Sequence, residues 1–236
     1  MSKEISILQS NYIPWKGYFD LIAKSDVFVI YDEVQYTKND WRNRNKIQSK
    51  NGPQWITIPV KQETLNQKIF ESKISANNWS KKHVSTLIGN YSKTEYFKTY
   101  KDEIFSLYEN PSIFLSEVNI TFIRGICKIL GIETEIIDSR SLSLNGDKNT
   151  RLIDACKKLN ATTYISGPSA RNYLDTTLFK IENIDVIWMD YNEYKTYKQT
   201  SEPFEHGVSI LDLIFNLGPN AKNYLKYINK TLNLNS

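Results

Sequence analysis

Cysteine is scarce. Only Cys127 and Cys156 occur in 236 residues, and they share no CxxC spacing. Each falls among apolar neighbours in a helical pattern and reads as helix core. That excludes a disulfide framework and sets the expectation of a reduced, cytoplasmic protein. Histidine is as rare, with His83 and His206 alone, so no dedicated zinc site is expected. No GxSxG, Walker A or GxGxxG pattern is present. No apolar run approaches a membrane span, and MSKEISILQS reads as no secretory leader because its short apolar stretch is broken by Gln9. An excess of one charge is also missing. Thirty Lys+Arg against 26 Asp+Glu leave +4, with the signs interspersed, too mild a balance to indicate nucleic acid. Aromatics are the one excess, with 15 tyrosines and five tryptophans. They suit stacking on a sugar or an oligomer interface, and both readings stay open.

Periodicity predicts strands alternating with helices. Ile5–Leu8 and Val27–Tyr31 read as strands on either side of a helix. Gln54–Val60 reads as a third strand, and Lys68–Ser75 alternates weakly. Residues 77–130 read as all-helical, ending at Leu130-Gly131, where glycine is the expected stop. Alternation then resumes: strand Glu133–Asp138, helix Lys148–Leu159, strand Thr162–Ser166, a helical turn through Tyr173, strand Ile184–Asp190, then helices Ser209–Leu217 and Ala221–Leu232. This predicts an α/β fold with a Rossmann-like, mostly parallel sheet and an all-helical insertion. Residues 1–76 form the N-terminal strand–helix–strand part, 77–130 the helical insertion or subdomain, and 131–236 the C-terminal part of the α/β domain.

In such sheets ligands bind beyond the carboxyl ends of the strands. Gln9, Ser10 and Asn11 follow the first strand; Asp32, Glu33 and Gln35 follow the second. The two groups are therefore expected to converge on a small-molecule site. Asp32 and Glu33 suit a sugar hydroxyl or a water-bound Mg²⁺, although no ligand spacing demands a metal. In an extended Asp40–Lys46 run, Arg42, Arg44 and Lys46 would share one face, suited to phosphates, with Trp41 free to stack. The Ser166-Gly167-Pro168-Ser169 turn precedes a predicted helix, whose free amides favour an anion. Arg171 and Tyr173 are candidates to complete that site. Ser169 as a simple N-cap is the alternative.

Four ordered stretches, ILQSNYIPWKGYFDLI, VIYDEVQYTKNDWRNRNKI, RLIDACKKLNATTYISGPSARNYLD and SILDLIFNLGP, together resemble the WbqC-like proteins. The resemblance covers nearly the whole chain. It implies bacterial O-antigen or surface-polysaccharide biosynthesis, hence work on a nucleotide-linked amino sugar, with N-acyl or aminoacyl transfer as the reaction. Such a transfer needs a base, oxyanion donors and a diphosphate anchor. His83 or His206 is the candidate base, Asn11 or the Ser166–Ser169 turn the donor, and Arg42, Arg44 and Lys46 the anchor. The acyl donor stays open between coenzyme A, a carrier-protein thioester and an ATP-Mg-activated acid. A fainter similarity to pantothenate synthetase and other HIGH-type nucleotidyl transferases implies ATP chemistry. The matching stretch Pro14–Tyr18 lacks their histidines. A non-catalytic nucleotide-sugar-binding protein is the remaining alternative.

Overall fold

The computed structural model describes residues 2–228. In chain order it runs β1 (Glu4–Leu8), α1 (Lys16–Lys24), β2 (Val27–Ile30), β3 (Arg44–Ser49), β4 (Gly52–Thr57), β5 (Val60–Lys61), β6 (Lys73–Ile74), α2 (Trp79–Tyr91), α3 (Phe97–Ser106), α4 (Leu115–Leu130), β7 (Glu135–Asp138), α5 (Thr150–Lys158), β8 (Thr163–Ser166), α6 (Thr176–Ile181), β9 (Asp185–Trp188) and α7 (Ile210–Leu217). β7, β2, β1, β8 and β9 form one parallel sheet in that order. The chain winds outward from β1 through β2 to β7, then returns to the other side of β1 for β8 and β9. The winding therefore reverses between β1 and β8, the place where doubly wound sheets open a crevice.

Alternation along the strands builds two apolar layers. Ile5, Ile7, Val27 and Val29 pack on one side against Leu152, Ile153 and Cys156 of α5 and Phe179 of α6. Phe28, Ile30 and Ile165 face the other side, against Phe19 and Ile22 of α1 and Phe122 and Ile126 of α4. The helices of segment 77–130 belong to this second layer: Leu87, Tyr91, Phe97 and Ile104 share its core with Phe215 of α7. Fully burying one such side chain stabilises the fold by about 1.5–3 kcal/mol. Helix α4 stops where glycine was expected, with Gly131 at φ 71.

Elsewhere the local structure departs from the pattern. Asp40–Asn43 is a turn, its Asp40 carbonyl accepting from the Asn43 and Arg44 amides, and β3 and β4 then pair as an antiparallel hairpin. The expected Gln54–Val60 strand is broken at Ile58-Pro59, where proline offers no N–H to a ladder. Lys68–Ser75 divides into a 3-10 turn at Ile69–Glu71 and the two-residue β6. In place of the expected Ala221–Leu232 helix stands a 3-10 stretch over Gly218–Tyr224, followed by bends at 225–227; positions beyond 228 lie outside the described residues. Among the described residues, no helix is long and apolar enough to cross a membrane.

Candidate functional site

At the reversal between β1 and β8 lies a cleft of about 330 Å³. Gln9, just past β1, and Ser166, Gly167 and Ser169, at and beyond the end of β8, line one side. Lys148 and Arg151, from the start of α5, and Tyr31 and Tyr173 complete it. The α5 end is tightly made. Asp147 accepts from the Asn149 and Thr150 amides at 3.1 and 3.0 Å and from Thr150 Oγ1 at 2.7 Å. Those bonds hold its carboxyl below the usual range. Gly146 sits at φ +103, and a Cβ there would lie 2.3 Å from Thr150 Oγ1, so only glycine fits. Asp147 spends its charge on the helix start, while the Lys148 and Arg151 side chains line the cleft. Arg151 Nη1 donates to the Tyr31 hydroxyl at 3.3 Å, and its Nε is buried without a partner. Lys148 Nζ stands 3.7 Å from the Tyr173 ring centroid.

The turn after β8 is a five-residue 3-10 segment, Pro168–Asn172, with proline first. Proline brings no amide, and so short a turn carries little dipole. The positive charge of the cleft therefore comes from Lys148, just before α5, and Arg151 in its first turn. Gly167 has an ordinary φ of −69, and a Cβ there would meet nothing closer than Tyr191 Oη at 4.0 Å, leaving the backbone open to a ligand. Arg171 turns away, 5.4 Å from the Trp188 ring.

A second cavity, about 340 Å³, is walled by Asn11, Pro14, Trp15, Trp41, Asn45 and Gly207. The loop that forms it is strained. Buried Ile13 has φ +36, a costly conformation for a β-branched residue. Asn45 Nδ2 holds it there, donating to the carbonyls of Tyr12 at 3.1 Å and Ile13 at 2.8 Å. The Trp15 indole folds back over Gly17, where a Cβ would lie 2.3 Å from the ring. Trp41 packs against Trp55 with centroids 5.3 Å apart, and Arg44 covers Trp55 at 4.2 Å.

Arg42 joins the two cavities. Its Nη2 donates to Gln9 Oε1 at 3.2 Å and its Nη1 to Asn11 Oδ1 at 3.1 Å, with Asp40 3.6 Å away. A guanidinium only donates, so both amide oxygens must face it. Both amide NH₂ groups are then turned away from Arg42. Gln9 lines the cleft and Asn11 the second cavity. Arg42 thus serves two side chains of its own chain. Arg44 and Lys46, alternate residues of β3, share the outer face of the hairpin beside Trp55.

The WbqC-like protein family model matches residues 9–224. The chain belongs to the WbqC-like family. It is 47% identical over 227 residues to Uncharacterized protein Rv1507c of Mycobacterium tuberculosis, an alignment covering 95% of this chain and 98% of that relative. No solved structure matches the chain significantly. The WbqC-like span opens at Gln9 and includes Arg42, Lys148, Arg151 and Ser169.

Several candidates of this WbqC-like chain lie away from both cavities. Asp32 is buried, accepting from the Ser10 amide at 2.8 Å and from the Ser116 hydroxyl. Burial raises its carboxyl despite those bonds. The Ser10 hydroxyl accepts from Asn119 Nδ2. Glu33 accepts from Ser139. Gln35 donates to the Leu65 carbonyl and bridges to Lys68. Gln9 and Asn11 thus meet at Arg42 while Ser10 turns to Asp32, and Glu33 and Gln35 meet none of the three. His83 is buried too, with Nδ1 2.8 Å from Tyr12 Oη and Nε2 3.1 Å from the Thr57 carbonyl. Burial lowers its pKa to about 4. Its sequence neighbours Lys81 and Lys82 are exposed. His206 is exposed beside Gly207 at the second cavity, its pKa lowered by desolvation and then by Lys16. Lys16 is buried under the Tyr194 ring at 4.7 Å, and burial lowers its pKa to about 8.

Lys148, Arg151 and Tyr31 were not among the sequence candidates. The rule applied to β1, β2 and β8 would have found the two cations. Helix α5 follows β7 and starts at the same sheet edge, so its first turn faces the same crevice. Among the described residues, no group of three or more His, Cys, Asp or Glu is arranged for a metal ion.

Proposed function

We propose that this WbqC-like protein is a transferase acting on a nucleotide-linked amino sugar of bacterial surface-polysaccharide synthesis, by N-acyl or aminoacyl transfer. The observation that carries the reading is the cleft at the β1/β8 reversal, where two cations meet strand-end hydroxyls. Lys148 and Arg151 suit a diphosphate, with Ser166, Ser169 and the Gln9 amide as further donors. In the transfer, the sugar amine attacks an acyl carbonyl, the new C–N bond replaces the bond to the leaving group, and a base takes the amine proton. Asn11 is the candidate oxyanion donor. His206 is a better candidate base than His83, whose two nitrogens are already engaged. Coenzyme A, a carrier-protein thioester and an activated amino acid remain the candidate donors.

The test is thermal shift with nucleoside-diphosphate amino sugars, coenzyme A and ATP-Mg, followed by mass spectrometry of donor mixtures. A ligand specific to the folded state raises Tm by mass action. Nucleotide sugars should stabilise the protein, Arg151→Ala should abolish the effect, and an acylated product should form. Stabilisation by ATP-Mg alone, with pyrophosphate exchange, would replace this reading with nucleotidyl transfer. A second reading, non-catalytic nucleotide-sugar binding, is favoured by the engagement of both His83 nitrogens. Binding without product in any donor mixture would establish it.

A further inference from the structure

We propose that the cavity walled by Trp15 and Trp41 is a saccharide-ring site, distinct from the cleft and coupled to it through Arg42. A pyranose has an apolar C–H face and a rim of hydroxyls. It calls for an aromatic surface and a few fixed hydrogen-bonding groups. Both are here. Trp15 and Trp41 supply indole walls, and Trp41 remains 40% exposed. The Asn11 amide is fixed by Arg42, which takes its oxygen and leaves its NH₂ to donate.

The cavity is also expensively built. Ile13 is held at φ +36 by both Asn45 bonds, and strain of this kind persists only where the surroundings over-determine it. Gly17 leaves the space that the Trp15 ring occupies.

Charge favours a neutral ring over a second phosphate ligand. Arg42 is engaged by Asp40 and the two amides. Lys46 lies 3.7 Å from Glu205, and Arg44 is stacked on Trp55. A nucleotide would find aromatic surface here but positive charge already matched or stacked. That the ring is the sugar end of the nucleotide-linked substrate rests on the transferase reading; the site itself does not. Gln9 and Asn11 are two residues apart on one clamp, so a ligand crossing from cleft to cavity would pass along Arg42.

The experiment titrates the full chain with free glucose, galactose and N-acetylglucosamine, read by indole fluorescence and calorimetry. A nucleoside diphosphate is titrated on the same samples. At least one saccharide should quench the wild type saturably, and Trp41→Ala and Asn11→Ala should each weaken it by about tenfold or more. Trp41 is half-exposed, so its removal leaves the core intact. Trp41→Ala should retain nucleoside diphosphate binding, and Arg151→Ala should lose it. Saccharide binding without any nucleotide binding would end the transferase reading and keep this site. No saturable saccharide response, or nucleotide binding lost in Trp41→Ala and kept in Arg151→Ala, would overturn the proposal.

Discussion

The Tyr12 hydroxyl donates to Nδ1 of His83 across 2.8 Å. The direction follows from the other side of the ring. Burial keeps the ring neutral by lowering its pKa to about 4, and Nε2 meets the Thr57 carbonyl at 3.1 Å, which can only accept, so in that neutral ring Nε2 carries the one proton and Nδ1 accepts. Tyr12 in turn accepts from Tyr108 at 2.8 Å. The neutral imidazole is therefore fully paired inside the helical layer.

This arrangement predicts acid sensitivity. The His83 pKa falls from 6.5 to about 4 on folding. Between those values the unfolded chain binds a proton that the folded one refuses, so stability drops as pH falls from 6.5 to about 4 and the loss then saturates. The loss is roughly 3 kcal/mol. Urea midpoints measured across that range should decline in the wild type and decline less in His83→Gln. Asp20, Asp32 and Asp212 are shifted upward and act in the opposite sense above pH 3.8, overlapping the histidine range, so the difference between the two proteins isolates the histidine. Parallel curves would show that folding does not lower the His83 pKa.

Arg42→Lys tests the clamp. An ammonium is a point charge without the planar fork, and it cannot hold Gln9 and Asn11 in the same geometry. Stability should fall by about 1–3 kcal/mol, the range for losing hydrogen bonds from a charged group. Ligand affinity at the cleft and at the tryptophan cavity should fall together. Denaturant titration and calorimetry read the two effects separately. A change confined to one cavity would mean that Arg42 does not couple them.

Gly17→Ala tests the wall. Alanine suits a helix better than glycine by about 1 kcal/mol, but its Cβ would need the space of the Trp15 ring. Overpacking of this kind costs typically about 1–3 kcal/mol. The variant should be less stable, and Trp15 should move, changing tryptophan emission and near-UV circular dichroism. A more stable variant with unchanged emission would show that the ring relaxes without consequence.

Strand β2 announced itself because it is an apolar run between polar breaks, Val27–Ile30, and the other strands of the parallel sheet by β-branched or aromatic residues at their centres, as in Tyr164 and Ile165. The stop of α4 at Gly131 was equally plain. Strand β3 was hidden because its buried residues include Asn45 and Gln48, polar side chains on opposite faces, which erase the alternation. Asn45 is inside because the Tyr12 and Ile13 carbonyls need its amide, a partnership across more than 30 residues that no local pattern reports. Arg42, Arg44 and Lys46 look alike along the chain. The turn at Asp40–Asn43 separates the first from the other two and sends it toward Gln9 and Asn11. The burial of His83 likewise depends on how α2 meets the Tyr12 loop and the end of β4.

Strand β1 is the central strand, and its neighbour β8 lies more than 150 residues later in the chain. A growing polypeptide therefore completes β1, α1 and β2 long before Thr163–Ser166 emerges to cover the remaining edge of Glu4–Leu8. Until then that edge is unpaired and open to mispairing. A product truncated before β8 keeps most of the apolar mass of the protein but has neither a closed sheet nor a crevice, and it belongs among the clients of chaperones and proteases.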